Sequence, residues 1–203
     1  MLTSKLLAVA ALSTVVAVSS TADAQSIIKS PGDHPNYSVE MEPHLNVGWA
    51  NRGYAGSSAA LGAGARFSIP IVHNGFISTI NNSVAISFGL DYLRYGCNVR
   101  YFNSDYNCGA SFLLFPVAMQ WNFWLSPKFS VFGEPGLYIY HGIFDDVCGK
   151  DPRFKGSFAC STPTQTSVDF LFHAGGRFHF NDTVALTLRV GYPTISFGVS
   201  FLL

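Results

Sequence analysis

The chain is expected to be all-β, an eight-stranded antiparallel up-and-down transmembrane β-barrel, and three observations lead there. Eight stretches alternate apolar and polar residues with period two, the spacing at which side chains share one face of a strand. Within the central part of each stretch the ionisable side chains fall on the same face, so the other face is uniformly apolar. A secretory signal precedes the pattern, yet no later apolar run reaches the roughly 18 residues of a membrane helix. Backbone inside a bilayer must be fully hydrogen-bonded, and a closed barrel achieves this with strands.

The signal has three parts: Lys5 near the start, an apolar run over 6–18, and Ala22-Asp23-Ala24 as a small-x-small cleavage site. Residues 1–24 are therefore read as a signal peptide, 25–37 as an irregular lead-in and 38–203 as one barrel domain. No cysteine follows the site, which argues against a lipid anchor. Charged residues make up 12% of the chain, aromatic residues 15%, and the formal net charge is zero. A nucleic-acid partner would require a basic stripe, so that class is excluded.

The first strand, 38–50, sets Val39, Met41, Leu45, Val47 and Trp49 against Glu40, Glu42, His44, Asn46 and Gly48. The second, 59–69, sets Leu61, Ala63, Ala65, Phe67 and Ile69 against Gly62, Gly64, Arg66 and Ser68. In the third, 84–95, Val84, Ile86, Phe88, Leu90 and Tyr92 oppose Ser87, Gly89 and Asp91. The fourth, 111–124, opposes Leu113, Phe115, Val117, Met119, Trp121 and Phe123 to Leu114, Pro116, Ala118, Gln120 and Asn122. The fifth, 129–140, has Phe129, Val131, Leu137 and Ile139 opposite Ser130, Phe132, Glu134, Gly136, Tyr138 and Tyr140. Across the sixth, 168–180, Val168, Phe170, Phe172, Ala174, Phe178 and Phe180 face away from Asp169, His173, Gly175, Arg177 and His179. The seventh, 184–192, opposes Val184, Leu186, Leu188, Val190 and Tyr192 to Thr187, Arg189 and Gly191; the eighth, 194–203, opposes Ile195, Phe197, Val199, Phe201 and Leu203 to Ser196, Gly198 and Ser200.

The connections fit an even strand count. Residues 126–128 and 181–183 are tight turns at one end, whereas 96–110 and 141–167 are long, polar loops at the other. Residues 72–83 stand at the short-turn end yet are long and carry Asn74-Gly75 and Asn81-Asn82, which suits a small hairpin or a flap below the barrel. Aromatic residues sort toward strand ends as two girdles, Trp49, Tyr92 and Tyr192 at one interface and Trp121, Phe123, Phe129, Phe180 and Phe201 at the other.

The last eight residues carry Ser196, Gly198, Phe201 and the terminal Leu203 in the order polar, Gly, aromatic, hydrophobic end. This resembles the C-terminal assembly signal of bacterial outer-membrane proteins, with Leu where Phe is usual. With eight strands over the whole mature chain, the sequence resembles the OmpA/OmpX-type small barrels. The resemblance implies a Gram-negative outer membrane, insertion by the outer-membrane assembly machinery, and outer-membrane lipid around the barrel. It makes the tight turns and the lead-in periplasmic and the long loops extracellular.

Cys97, Cys108, Cys148 and Cys160 fall as two close pairs, one in each long loop. Export permits disulfides, and three connectivities are compatible with the spacing. The two local ones are favoured because each closes a short loop, which would stabilise it by roughly 3 kcal/mol. The spacings lack the CxxC signature of a zinc site. Asp105, Asp145, Asp146 and Asp151 do not form an EF-hand ladder. Neither a metal nor a cofactor is expected.

With the apolar face outward, Glu40, Glu42, His44, Arg66, Asp91, Glu134, His173, Arg177, His179 and Arg189 line the lumen. An eight-stranded barrel is just wide enough for side chains to fill, so these charges should neutralise one another as a plug. Glu42 and Arg66 are placed at one depth on adjacent strands, as are Glu134 and His173. The alternative is a narrow porin-like ion path with His44 and His173 as its pH-responsive members. Lipid A modification is a third reading, for which His141 with Ser161 or Ser167 and Asp145 are the only residues at the right height; none sits in a nucleophile motif. A soluble lipocalin-like carrier would turn its apolar faces inward. The expected function is thus non-enzymatic: a barrel anchoring stapled loops that face an extracellular ligand the sequence does not specify.

Overall fold

The computed structural model describes residues 26–49, 59–101, 104–144 and 164–203; the expected signal peptide lies outside them. The strands are β1 (Glu40–Gly48), β2 (Ala60–Val72), β3 (Asn82–Tyr101), β4 (Ser104–Ser126), β5 (Phe129–Phe144), β6 (Thr164–His179), β7 (Val184–Tyr192) and β8 (Thr194–Leu202). Each pairs antiparallel with its sequence neighbour, and β1 pairs with β8 to close the barrel. Closure removes the sheet edges, which is what strands of this exterior need in an apolar medium.

Burial follows the period-two pattern. Along β1 the inward Glu40, Glu42, His44 and Asn46 are buried, while Met41, Leu45 and Val47 are exposed. The outer wall carries Leu45 at 68% exposure and Leu61 at 70%, and exposed large apolar side chains recur on every strand, the pattern of a lipid-facing belt. Four prolines stand in the strands, and each coincides with a break or shift in the ladder: Pro43 between β1 and β8, Pro70 between β2 and β3, Pro116 between β3 and β4, and Pro135 between β4 and β5. A residue with no N–H cannot complete the pair at its position.

Two sequence expectations are corrected. Residues 96–101 and 104–110, expected within a long loop, continue β3 and β4 and stay paired as far as Tyr101 opposite Ser104. The second long loop is shorter than 141–167, because β5 runs to Phe144 and β6 starts at Thr164. Backbone pairing continues after the apolar alternation ends, since hydrogen bonds between strands do not depend on side-chain polarity. On the opposite side β7 and β8 have 9 residues each and join through Pro193, so the barrel rim is tall over β3–β6 and low over β7–β8.

The short-turn end of the barrel is covered. The lead-in hydrogen-bonds the barrel floor from Ile27 N to the Leu125 carbonyl (3.1 Å), and Asn81 N donates to the Ile28 carbonyl (2.7 Å). His34 stacks on Trp124 with ring centroids 5.2 Å apart. Ile27, Tyr37, Trp124 and Leu202 make a small apolar core there. The lead-in is thus irregular in shape but fixed to the barrel by backbone bonds.

Candidate functional site

The interior divides into two layers. The lower is ionic. Arg189, on the inward face of β7, donates through Nε to Glu134 Oε2 (2.8 Å) on β5 and through Nη2 to Glu42 Oε2 (2.9 Å) on β1. It therefore spans the lumen and holds two carboxylates at once. Arg177 of β6 grips Glu40 with Nε and Nη2, both at 2.9 Å, and donates through Nη1 to Asn122 Oδ1 (2.8 Å). Arg66 reaches Asp91 (3.1 Å), and His44 Nε2 lies 2.7 Å from the other Asp91 oxygen. Its Nδ1 lies 3.1 Å from the Glu42 carbonyl, so both ring nitrogens of His44 face acceptors. These side chains are all buried, and charges so placed persist only when mutually compensated.

Neutral groups complete the layer. Gln120 donates to Glu134 Oε1 (2.7 Å), Ser130 pairs with His179 (2.9 Å), and His173 Nε2 donates to the Thr194 carbonyl (3.1 Å). Both guanidiniums lie over the Phe132 ring, 4.2 Å from Arg177 and 5.1 Å from Arg189 to the ring centre, two cation–π contacts within the lumen. Its ring occupies the space that Gly175, its register partner on β6, leaves open. Any Cβ at Gly175 would collide with that ring.

The upper layer is apolar. Leu93, Phe112, Leu114, Tyr138, Tyr140 and Leu171 are buried together above the ion pairs. Tyr95 and Phe112 meet edge to face at 5.4 Å. Within this layer, Leu114, Tyr138 and Tyr140 were on the inward face by alternation, whereas Leu93, Phe112 and Leu171 were not among the residues assigned to it. Inward positions change from ionic to aliphatic and aromatic midway up β3–β5, and on β6 Asp169, in register with Tyr138, accepts from the Tyr192 hydroxyl (3.0 Å).

The structure brings most sequence-selected residues together in the lumen, at the depths expected of them. Glu42 stands opposite Arg66 and Glu134 opposite His173 in register. The carboxylate of Glu42 nevertheless pairs with Arg189, while Arg66 turns to Asp91. Side chains this long choose partners across the lumen as readily as along the wall. Gln120, Asn122 and Phe132 joined the network without having been selected as site residues; their inward parity was the available signal. Among the described atoms, Arg66 Nε and Nη1, His173 Nδ1 and both amide atoms of Asn46 make no hydrogen bond.

The assembly-signal residues lie on β8 and its end. Ser196 faces inward, Phe201 faces out, and Leu203 receives hydrogen bonds from Ser38 and Val39 at its carbonyl (2.7 and 3.1 Å). Gly198 also has a local reason to be glycine: a Cβ there would sit 2.6 Å from His44 Cβ and from the Pro43 carbonyl. In the outer hairpin the backbone register sets Cys97 opposite Cys108; Cys148 and Cys160 lie outside the described residues. Of the enzyme candidates, Asp145 and Ser161 are also outside them. His141 hydrogen-bonds Thr166 (2.8 Å), its register partner, whereas Ser167 stands opposite Tyr140 on the inward face. His141 and Ser167 are not brought together.

A closed eight-stranded antiparallel barrel with an apolar exterior and a packed, charge-paired interior defines a small transmembrane β-barrel. Solved structures share this fold. Over 84% of this chain and 98% of the other, the outer membrane protein OprG from Pseudomonas aeruginosa superposes with a TM-score of 0.58 at 12% identity. Ail, the attachment invasion locus protein of Yersinia pestis, covers 83% of this chain and 98% of its own at 13% identity and TM-score 0.48. Neisserial surface protein A covers 81% and 95% at 13% identity and TM-score 0.43. No protein-family model matches the chain, and no curated protein does.

Proposed function

We propose that the chain is a non-enzymatic outer-membrane barrel of a Gram-negative envelope, anchoring disulfide-stapled extracellular loops that present an interaction surface. The observation that carries this is the filled lumen: Arg189 bridges Glu42 and Glu134 across its full width, beneath a buried aromatic layer. A barrel packed in this way offers its environment two surfaces, the lipid-facing wall and the loops. The fold shared with OprG supports the membrane assignment. The order of Ser196, Gly198, Phe201 and Leu203 supports delivery by the outer-membrane assembly machinery. Register pairing of Cys97 with Cys108 supports the first staple, because it sets the two cysteine Cα atoms opposite each other on neighbouring strands.

Planar-bilayer recording tests the reading. The intact protein should insert without discrete conductance steps, and Arg189→Ala combined with Arg66→Ala should open a leak. Stepwise ionic conductance from the unmodified protein would instead favour the narrow-channel alternative. Replacing 145–163 by a short turn should leave the barrel assembled while removing the surface interaction.

A further inference from the structure

The long connection between β2 and β3, residues 73–81, stands out from the short turns beside it. Pro70 cannot donate to the ladder, and the β2–β3 register shifts between Pro70 and Val72. From there the chain folds back against the outer wall. The Phe76 ring packs edge to face on Trp121, with centroids 5.6 Å apart, and Trp121 points outward from β4. Trp121 Nε1 also donates to Asn82 Oδ1 (3.0 Å). Asn82 in turn pins the turn, donating through Nδ2 to the carbonyls of Ile77 (2.7 Å) and Ile80 (2.8 Å). Val84 alternates with the exposed Ile86 and Phe88 on the lipid side of β3, yet it is fully covered, so the wall carries a second layer at this height.

The outer surface of that layer is apolar. Phe76 is 63% exposed and Ile77 39%, and they stand at the foot of the belt that includes Ile69, Ile71 and Trp121. Trp121 itself belongs to the periplasmic aromatic girdle with Phe123, whose ring lies 5.0 Å away. The exposed pair is thus continuous with the lipid-facing wall and at girdle height, where amphipathic and aromatic groups partition into the headgroup zone.

The geometry points to a membrane-seated foot: the 73–81 turn inserts Phe76 and Ile77 into the interfacial zone of the periplasmic phospholipid leaflet, widening the barrel where it leaves the bilayer. This rests on the membrane reading above. The backbone of the foot is held by Asn82 before any lipid is met, so its apolar pair enters the leaflet pre-ordered.

The test uses the full chain in vesicles of phosphatidylcholine and phosphatidylglycerol, with Phe76→Trp and Phe88→Trp compared with the unmodified protein. Emission added by the tryptophan at 76 should be blue-shifted, quenched by lipids brominated near the headgroup, and little quenched by aqueous acrylamide. Phe88→Trp should be quenched by lipids brominated deep in the acyl chain. Quenching at 88 but acrylamide access at 76 would overturn the foot and leave the membrane barrel standing. Protection at 76 from both quenchers would mean that another protein surface covers it, which also overturns the foot. Failure of brominated lipid to quench at either position would overturn the membrane reading itself.

Discussion

Arg189 and Glu42 face each other from β7 and β1, which are not neighbours in the sheet, and join through Nη2 and Oε2 at 2.9 Å. The same guanidinium holds Glu134 from β5, so one cation ties three staves of the barrel.

Removing that cation takes from two buried carboxylates the guanidinium that bridges them, leaving Glu134 with Gln120 and the more distant Arg66. Arg189→Met is expected to lower barrel stability by about 3–5 kcal/mol, the cost of breaking a buried ion pair from one side. Equilibrium urea unfolding from lipid vesicles measures this. The triple variant Arg189→Met, Glu42→Gln, Glu134→Gln should recover most of the loss, because the side chains then standing at those three positions are all neutral.

Phe132 fills the space over Gly175 and lies under Arg177 and Arg189. Gly175→Ala should therefore cost about 1–3 kcal/mol by overpacking. Adding Phe132→Leu should relieve part of that cost in the same vesicle assay. Additive losses in the double variant would contradict the contact.

Tyr37, just before β1, is buried at the short-turn end of the barrel. Burial, and then the nearby Glu40 carboxylate, push its hydroxyl pKa up. A folded pKa raised above the unfolded value gives stability that is fully present below about pH 10 and is lost as pH rises beyond it. Unfolding midpoints measured between about pH 9 and 12 should fall more steeply for the unmodified protein than for Tyr37→Phe.

Peptide mapping without reduction should recover Cys97 linked to Cys108, which the register sets opposite each other. Cys148 should be linked to Cys160. A cross-link between the two hairpins would contradict the local pairing.

The strand count, the two faces and the lumen charges were legible because they rest on parity alone. Glu42, Arg66, Glu134 and His173 could each be assigned a depth and a face from alternation. The partners of those charges were not legible, since Arg189 reaches Glu42 across the lumen and no sequence separation encodes that span. The apolar upper layer was legible only in part. Leu93, Phe112 and Leu171 are inward residues that are themselves apolar, so alternation loses contrast there. The foot at 73–81 depends on Asn82 folding the turn back against Trp121, a tertiary contact with no periodic signature.

Envelope fractionation combined with heat-modifiable migration tests the central claim, a lipid-embedded closed barrel, most directly. The protein should sediment with the outer membrane, run as a compact species on a denaturing gel when unheated, and shift to its unfolded mobility on boiling. Recovery in the soluble periplasmic fraction with a single mobility, heated or not, would contradict it.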